Sequence, residues 1–358
     1  MLTLNKTLGM PFRLSKWQIP GFLRSFTFHP GKQFLHKLVL GIETSCDDTA
    51  AAVVDESGNI LGEAIHSQTE VHLETGGIIP SVAQRLHREN IEQIVKETLS
   101  ASGVTPNELS AIATTVKPGL ALSLGVGVAY SLQLVNQYKK PFIPIHHMEA
   151  HALTIRLTNK VDFPFLVLLV SGGHCLLAVV QGVSDFLLLG KSLDIAPGDM
   201  LDKTAVDKII TQKEKEEGIE KGQILSCAAD IAASVQHTVA SHIAKRTHRA
   251  ILFCQQRGFL TPSNAILVVS GGVASNLYIR RSLEIVTKAT NCILLCPPLR
   301  LCTDNGIMIA WNGIERLCAG LGILYNTEGL RYEPKCPLGV DISKQVGEAA
   351  IKVPNLKI

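Results

Sequence analysis

Acidic residues are absent from the first 42 positions of this 358-residue chain, and Glu43 is the first of them. Residues 1–37 nevertheless carry six lysines and arginines, interspersed with leucine, phenylalanine, serine and threonine. A basic segment without acids is typical of an organelle transit peptide, and a disordered basic arm is the alternative interpretation. We therefore separate residues 1–36 from the folded part of the chain.

Other features are missing as well. No run of eighteen or more apolar residues occurs, which argues against a transmembrane helix and predicts no membrane partner. Aromatic residues make up only 5% of the chain, so an open stacking surface for single-stranded bases is not indicated. Without the six positive charges of residues 1–37, the formal net charge changes from +3 to −3. Nucleic-acid binding would therefore need a local basic patch.

The nine cysteines include no C-x-x-C pair. The densest group, Cys292, Cys296 and Cys302, lacks a fourth partner at the spacing of a zinc site. An odd number of cysteines without paired spacing is typical of intracellular or organellar proteins. We expect most of them to be reduced and buried.

The apolar pattern of the folded part occurs twice. Three short runs separated by polar turns lead into a helix, strand, helix, strand series that ends near residue 145, and a similar series starts at Pro164. This repetition predicts two similar α/β domains that face each other across a cleft. The predicted segments after the leader are residues 37–155, 156–335 and a tail at 336–358.

Polar loops follow three of the predicted strands, at residues 43–49, 171–174 and 270–276. Duplicated α/β domains bind ligands at the carboxyl ends of their strands. Glycine pairs in the second and third loops allow main-chain N–H groups to approach an anion closely. The loops therefore predict a ligand that carries phosphate, although each glycine pair by itself is also an ordinary turn. Asp47 and Asp48 could bind a cation or accept a proton, or lie in a solvated turn.

The sequence PIHHMEAH, which begins at Pro144, contains a candidate pair of metal ligands. If Pro144 opens a helix, His147 and His151 lie one turn apart on the same face and can bind one ion. His146 would then lie next to the site or at the surface. Glu149 is not adjacent to the first histidine, as the H-E-x-x-H protease motif requires.

A third ligand has to come from elsewhere in the chain. Asp304, which lies between a predicted strand and a predicted helix, would complete a set of two histidines and one aspartate. Such ligands suit iron, zinc or manganese, and the ligand types alone do not distinguish among these metals. An aspartate in this position is also an ordinary N-cap, so the two interpretations stay open.

Six motifs together resemble one family. They are VLGIETSCDDT, GGIIPSVAQRLH, HHMEAH, LLVSGGH, SGGVASN and CTDNGIMIAW, and the likeness extends from about Leu38 to Tyr332. They resemble the tRNA N6-adenosine threonylcarbamoyltransferases, once described as O-sialoglycoprotein endopeptidases. The resemblance implies a duplicated actin-like ATPase fold, shared with sugar kinases and Hsp70. It also implies threonylcarbamoyl transfer from its adenylate to N6 of adenosine 37, in tRNAs that read codons beginning with A. The transit-like leader indicates a mitochondrial member.

Matching motifs imply the roles of individual residues. His147, His151 and Asp304 would bind one divalent metal ion per subunit, which the resemblance leaves open among iron, zinc, manganese and magnesium. Asp47 would be the catalytic acidic residue near the reacting group. The residues implied to bind the adenylate are Leu169, Val170, Ser171, Gly172, Gly173, Asp202, Ser275 and Asn276.

The chain departs from the family after Lys203. A Gly-Gly nucleotide loop and a Phe-Ser-Phe-Ser-Gly-Leu motif are absent, so that about fifty residues are missing before the helix predicted at 226–248. This departure predicts a shortened form with weakened adenylate binding, and an inactive or regulatory splice form is therefore an alternative. A smaller departure is Lys117, where many members have glycine.

Two further alternatives are a metalloprotease and an ATPase or sugar kinase of the same fold. The expected partners are tRNA and a separate synthase that supplies threonylcarbamoyl-AMP, with the protein itself a monomer or a homodimer. Basic clusters that could contact tRNA phosphates lie at residues 245–249, Arg280–Arg281 and Arg300.

Overall fold

The repeated apolar pattern folds into two β-sheets in the computed structural model, which describes residues 36–193, 196–197, 216, 218, 226–261 and 265–357. The first sheet has the strand order β3-β2-β1-β4-β5, in which β1 is antiparallel to β2 and parallel to β4. Its strands are β1 Leu38–Glu43, β2 Asp48–Asp55, β3 Ile60–Ser67, β4 Ala111–Lys117 and β5 Phe142–His146.

The second sheet repeats this topology. Its strand order is β10-β9-β6-β7-β8-β11, so that β6 is antiparallel to β7 and parallel to β9, as β1 is to β2 and β4. The strands are β6 Phe165–Val170, β7 Cys175–Gly182, β8 Asp185–Lys191, β9 Ile266–Ser270, β10 Ile293–Leu295 and β11 Val340–Asp341. Apart from β11, each strand has a counterpart in the first sheet, which confirms the predicted duplication.

In the part of the chain that the structure describes, helices follow several of the strands. They are α1 Thr69–Glu74, α2 Pro80–Ser102, α3 Ala121–Tyr138, α4 His147–Leu153, α5 Ile155–Thr158, α6 Ala228–Gln256, α7 Leu277–Ala289, α8 Gly306–Ala319 and α9 Ser343–Glu348. The ends of α2 show why the chain forms a helix there. Pro80 occupies the first turn, where its missing N–H costs nothing, and Gly103 ends the helix with φ = 64°.

Both central strands are covered on both faces, which explains their nearly continuous apolar sequences. In β1, Leu38, Leu40 and Ile42 pack against α2 and α3. In β6, Leu166, Leu168 and Val170 pack against α6 and α7. On the opposite faces, α8 packs on the first sheet and α4 packs against the second.

Helices α4 and α8 connect the two halves. Ala150 of α4 lies in the core of the first sheet, whereas Met148 and Leu153 of the same helix pack against the second sheet. Helix α8 follows the strands of the second sheet in sequence, yet it packs on the first sheet. This approach is very close, because a Cβ atom on Gly41 would lie 2.6 Å from the carbonyl oxygen of Gly306. Only glycine at both positions leaves room for this packing.

The predicted domain boundary near residue 155 falls at the start of α5. Residues His36–Ile358 form one contact-dense unit, and the division into 37–155 and 156–335 stays a prediction. Within the described residues, no helix has the length and apolar character needed to cross a bilayer. The expectation that most cysteines are buried is wrong: Cys254 and Cys302 are buried, and Cys318 is exposed. The other six are half-buried, because most lie at the ends of their elements.

Candidate active site

Two histidines on the short helix α4 point into the space between the sheets. The condition that Pro144 opens this helix is not met, because Pro144 lies in β5 and α4 begins at His147. His147 and His151 are still one turn apart, and their side chains are 8% and 5% exposed. His146 is neither at the surface nor a ligand: it is buried and its Nδ1 accepts a hydrogen bond from the N–H of Met148 at 3.2 Å.

Asp304 brings a carboxylate to the same point. Its Oδ1 lies 3.0 Å from His151 Nε2 and 3.4 Å from His147 Nε2, and the two Nε2 atoms are 3.2 Å apart. Ligand atoms at about 2.0–2.2 Å from a shared ion are separated by about 3.0–3.5 Å in tetrahedral or octahedral geometry. The three side chains therefore have the spacing that binding of one metal ion requires.

The alternative interpretation of Asp304 as the helix cap is excluded by its neighbour. Asn305 is the N-cap of α8, and its Oδ1 accepts a hydrogen bond from the N–H of Met308 at 2.8 Å. Because Asn305 satisfies the helix end, the carboxylate of Asp304 is available to the histidines. The close packing of α8 on the first sheet brings this residue of the second half to α4.

The charges of the three side chains reinforce one another. Burial by itself lowers the pKa of His147, but the charges of Asp304 and Glu43 outweigh burial and raise that pKa well above its usual value. Burial likewise tends to raise the pKa of Asp304, whereas His147 and His151 hold it well below its usual range. The group thus stabilises positive charge at the point where the three ligand atoms meet.

Glu43 belongs to this site, although the sequence analysis gave it no role. It ends β1, is fully buried, and its Oε2 lies 3.3 Å from Nδ1 of His147. Burial by itself raises the pKa of Glu43, but His147 lowers it overall. The signal in the sequence is an acidic residue that directly continues an apolar strand. A buried carboxylate there needs a specific partner.

The loop that carries Asp47 starts beside the metal ligands. Ser45 Oγ lies 3.1 Å from Nδ1 of His147. Two residues further on, the half-buried Asp47 accepts a hydrogen bond on its carbonyl oxygen from the N–H of Gln68. From the other side, Nε2 of the buried His87 lies 3.0 Å from the carbonyl oxygen of Cys46. The loop is therefore held by contacts at Ser45, Cys46 and the main chain of Asp47.

The two glycine-rich loops of the second half lie side by side. Strands β6 and β9 are parallel neighbours in which Leu169 is opposite Ser270, so the loops that follow them leave the same edge of the sheet. Gly271 adopts φ = 102°, and a Cβ atom on it would overlap the main chain of Val170. Gly172 and Gly173 are exposed, and a Cβ atom on either would have nothing within 4 Å. The loop after β6 is therefore open, whereas the loop after β9 begins in close contact with the end of β6.

The remaining residues implied to bind adenylate differ in position. The side chains of Leu169 and Val170 are buried in the core, so only their main chain faces the loops. Ser275 is exposed at the start of α7, and Asn276 caps that helix by accepting hydrogen bonds from the N–H groups of the next turn. Asp202 lies outside the described residues.

His174 follows the glycine pair in the loop after β6. Desolvation of its ring and the charges of His147 and His151, two of the candidate metal ligands, lower the pKa of His174. The sequence contained His174 in the LLVSGGH motif but gave no reason to single it out. The metal ligands and the loop Ser171–Gly173 therefore border the same region.

Comparison with known proteins shows to which family the chain belongs. The profile of the tRNA N6-adenosine threonylcarbamoyltransferases matches residues 59–311 of this chain. The chain belongs to this family. Its members are acyltransferases, and the duplicated topology described above is the actin-like ATPase fold that the resemblance implied.

Vertebrate relatives support the assignment over the whole chain. The mitochondrial tRNA N6-adenosine threonylcarbamoyltransferase of Homo sapiens is 69% identical, and that of Rattus norvegicus is 67% identical, with all of both chains covered in each case. The corresponding protein of Danio rerio is 56% identical over 95% of this chain and 98% of its own. The chain is thus a mitochondrial member of the family.

The alignments also bear on the missing segment. The alignment with the human transferase spans 412 positions, whereas this chain has 358 residues, so at least 54 positions have no counterpart here. This number agrees with the deletion predicted after Lys203. The residues around that point, 198–215, lie outside the described part of the chain.

In this transferase, Glu149 is engaged elsewhere than at the histidines. Its carboxylate forms a hydrogen-bonded salt bridge with Arg316 of α8, and both side chains are largely buried. A protease of the H-E-x-x-H type would need a carboxylate free to activate a water at the metal. Glu149 instead joins α4 to α8, which favours a structural role.

The predicted basic clusters and Lys117 have different surroundings. Lys245 and Arg246 are exposed on α6, whereas His248 of the same cluster is buried. Arg300 pairs with Glu63 at 2.9 Å. Lys117 lies 3.5 Å from Glu333, so this unusual residue attaches the C-terminal segment to the end of β4.

Proposed function

We propose that this chain performs the reaction of its family in mitochondria: transfer of a threonylcarbamoyl group to N6 of a tRNA adenosine. We propose further that the acceptor is adenosine 37 in tRNAs that read codons beginning with A and that the donor is threonylcarbamoyl-AMP. The observation that carries this proposal is the meeting of His147, His151 and Asp304 beside the open glycine loop of the second half. An acyl adenylate has both a phosphate and acyl oxygens for these two parts to bind.

The adenylate part of the donor would lie against the second half. Gly172 and Gly173 are exposed, and their main-chain N–H groups suit the negative phosphate because glycine allows close approach. The N–H of Ser171 donates to the carbonyl oxygen of His174 and closes this turn. Ser275 and Asn276 lie at the start of α7, where the positive end of the helix dipole favours an anion, while the Asn276 side chain caps two N–H groups of the first turn. Asp202 is proposed as a further contact on family grounds.

One divalent metal ion would be held by His147, His151 and Asp304. Two imidazoles and one carboxylate suit iron, zinc or manganese better than magnesium, which prefers oxygen ligands. When bound, the ion supplies positive charge that stabilises oxygens of the donor and fixes their orientation. The residues of the chain set its position through the close packing of α4 and α8.

Asp47 would accept the proton of the attacking amine. The amino nitrogen attacks the carbonyl carbon of the threonylcarbamoyl group, the bond to the phosphate oxygen breaks, and AMP leaves. Because AMP is a good leaving group, the protein mainly has to position the reactants and remove a proton. The loop around Asp47 is fixed by Ser45 and Cys46, as positioning requires.

Asp47→Asn tests this role. We expect the rate of threonylcarbamoyl transfer to fall by about 10²–10⁴-fold, the usual contribution of general acid–base catalysis, while metal affinity stays within about threefold. The assay measures transfer of labelled threonylcarbamoyl from its adenylate to unmodified mitochondrial tRNA. A variant with the full transfer rate would show that Asp47 is not the proton acceptor.

A second candidate function is a non-catalytic or regulatory form of the transferase. The specific observation in its favour is the absence of at least 54 aligned positions, which we place after Lys203 in one wall of the donor site. Comparing the chain with a version that has the segment restored separates the two. Transfer by both forms supports the enzyme, and transfer by the restored form alone supports the regulatory form.

The proposed partners are tRNA and a separate synthase that makes the donor. Lys245 and Arg246 offer exposed positive charge for tRNA phosphates. The assembly state proposed is a monomer or a homodimer, which sedimentation of the purified chain would determine.

A further inference from the structure

The buried carboxylate of Glu43 has an unusually complete set of partners. Its Oε1 accepts a hydrogen bond from the main-chain N–H of Ser45, and its Oε2 accepts one from the hydroxyl of Thr115. Nδ1 of His147 lies 3.3 Å from the same Oε2 and 3.1 Å from Oγ of Ser45, and of these two partners only the carboxylate is charged. A fully buried carboxylate is costly unless its oxygens are paired with donors. Here one carboxylate contacts the loop after β1, strand β4 and a metal ligand.

The contact with His147 determines which nitrogen of that ring can bind a metal. A neutral imidazole carries one proton, and the nitrogen without the proton has the free lone pair. If Nδ1 donates its proton to Glu43, then Nε2 presents its lone pair to His151 and Asp304. Carboxylates that hold the distal nitrogen of a ligating histidine in this way fix its tautomer and increase its basicity.

The other histidine has no comparable support. Nδ1 of His151 is buried and has no hydrogen-bond partner among the residues that the structure describes. The orientation of the ligand pair therefore depends mainly on His147, and so on the carboxylate that holds it. Glu43 also holds the N–H of Ser45, two residues before Asp47.

We propose that Glu43 is a positioning residue that fixes the Nδ1–H tautomer of His147 and couples metal binding to the loop of Asp47. This inference rests on the proposed metal site. It makes no use of Glu43 in the chemical step, because His147 stands between Glu43 and the metal.

Glu43→Gln is the sharpest variant because it keeps the shape of the side chain. If the amide oxygen faces Ser45, the NH₂ group faces His147 and favours a proton on Nε2, which removes the ligand lone pair. If the oxygen faces His147, the NH₂ group faces the N–H of Ser45, so that two donors oppose each other without an acceptor. Either arrangement disturbs the site, and we expect metal affinity to fall by about 10–100-fold.

The experiment measures Co²⁺ affinity of the full 358-residue chain by visible absorption, in competition with a chelator of known affinity. The matched control is Glu149→Gln, the same change at a buried carboxylate on the ligand helix, whose partner is Arg316. The control should lower the melting temperature yet keep Co²⁺ affinity within about threefold, because the amide oxygen can still accept a hydrogen bond from Arg316 and keep α4 joined to α8. Ser45→Ala removes the other partner of His147 Nδ1, and it should also stay within about threefold, because the carboxylate of Glu43 remains to accept the proton of Nδ1.

The outcomes separate the two proposals. If the unmodified chain binds no Co²⁺, the proposed metal site and the role of Glu43 both fail. If it binds Co²⁺ and Glu43→Gln binds equally well, only the role of Glu43 fails. Equal losses in Glu43→Gln and Glu149→Gln, or a loss in Ser45→Ala alone, would also overturn that role.

A second measurement does not depend on the folding of a variant at Glu43. Long-range ¹H–¹⁵N spectra of the Zn²⁺-loaded chain labelled with ¹⁵N-histidine report which nitrogen of each ring carries the proton. The signals of His147 are assigned by their loss in His147→Gln. A proton on Nδ1 supports the proposal, and a proton on Nε2 overturns it.

Discussion

The two halves of this molecule share one strand order and end their equivalent strands in opposite ways. In the first half, β1 ends in the buried acid Glu43, whose carboxylate lies 3.3 Å from the candidate metal ligand His147. In the second half, β6 ends in Val170 and continues into the exposed turn Ser171–Gly173. The shared topology decides where the loops meet. The residues at each strand exit decide whether the site suits a cation or an anion.

In addition, each half contributes one helix that packs on the sheet of the other half. Helix α4 belongs to the first half in sequence but packs partly on the second sheet, and α8 does the reverse. The ligand atoms of His147, His151 and Asp304 lie where these two helices meet. A metal ion there would hold the two halves together, whereas an adenylate would be bound mainly by the second half.

His151→Gln gives the largest effect and tests this division. Losing one of three ligands should weaken Co²⁺ binding by about 100-fold or more, or about 2.7 kcal/mol, and abolish transfer. Affinity for AMP should stay within about threefold, because the proposed AMP contacts lie in the second half. Calorimetry with Co²⁺ and with AMP provides both values. Equal losses for the two ligands would contradict separate roles for the halves.

Gly41→Ala tests whether the approach of α8 sets the site. The added Cβ would overlap the main chain of α8 at Gly306 and Ala310, and such overpacking typically costs about 1–3 kcal/mol and occasionally more. We expect a clearly lower melting temperature and weaker Co²⁺ binding together. Gly190→Ala is the control, because a Cβ there meets nothing within 4 Å. Normal Co²⁺ affinity in a destabilised Gly41→Ala would separate the helix packing from the metal site.

Substitution of two glycines of the second half should affect different properties, stability at Gly271 and donor binding at Gly172. Gly271→Ala should lower stability by about 1–3 kcal/mol, because its φ is 102° and its Cβ would overlap Val170. Gly172→Ala should leave the melting temperature nearly unchanged and raise KM for the adenylate about tenfold, since the methyl group would occupy the space of a phosphate. An unchanged KM in Gly172→Ala would place the donor elsewhere.

Asp48→Asn gives the smallest effect and depends on pH. Burial raises the pKa of Asp48 to about 6, above its value of about 3.9 in the unfolded chain. Stability due to this group therefore falls as pH rises from about 4 to about 6 and then stays low. Because Asp48 is partly exposed, we expect the asparagine to stabilise the fold by only about 1 kcal/mol at pH 7.5. Melting curves should show this gain shrinking towards pH 4.5, and a gain independent of pH would contradict the raised pKa.

Much of the site followed from local sequence, and the failures have physical reasons. The i, i+4 spacing of His147 and His151 survives the wrong helix start at Pro144, because both residues lie inside the true helix. Whether Asp304 caps α8 depended on its neighbour Asn305, which competes for the same N–H groups. Glu43 was missed because its role depends on His147, 104 positions away in the chain.

By itself, the sequence determined the period and order of the strands, the glycine loops that follow them and the pair of histidines on one helix, because these depend on neighbours within a few residues. Only the tertiary structure decided that α8 crosses to the first sheet through Gly41 and Gly306 and so brings Asp304 to the histidines. It also decided that Glu43 faces His147 and that Glu149 faces Arg316. Contacts between distant segments depend on how the helices pack, and packing is a property of the whole fold.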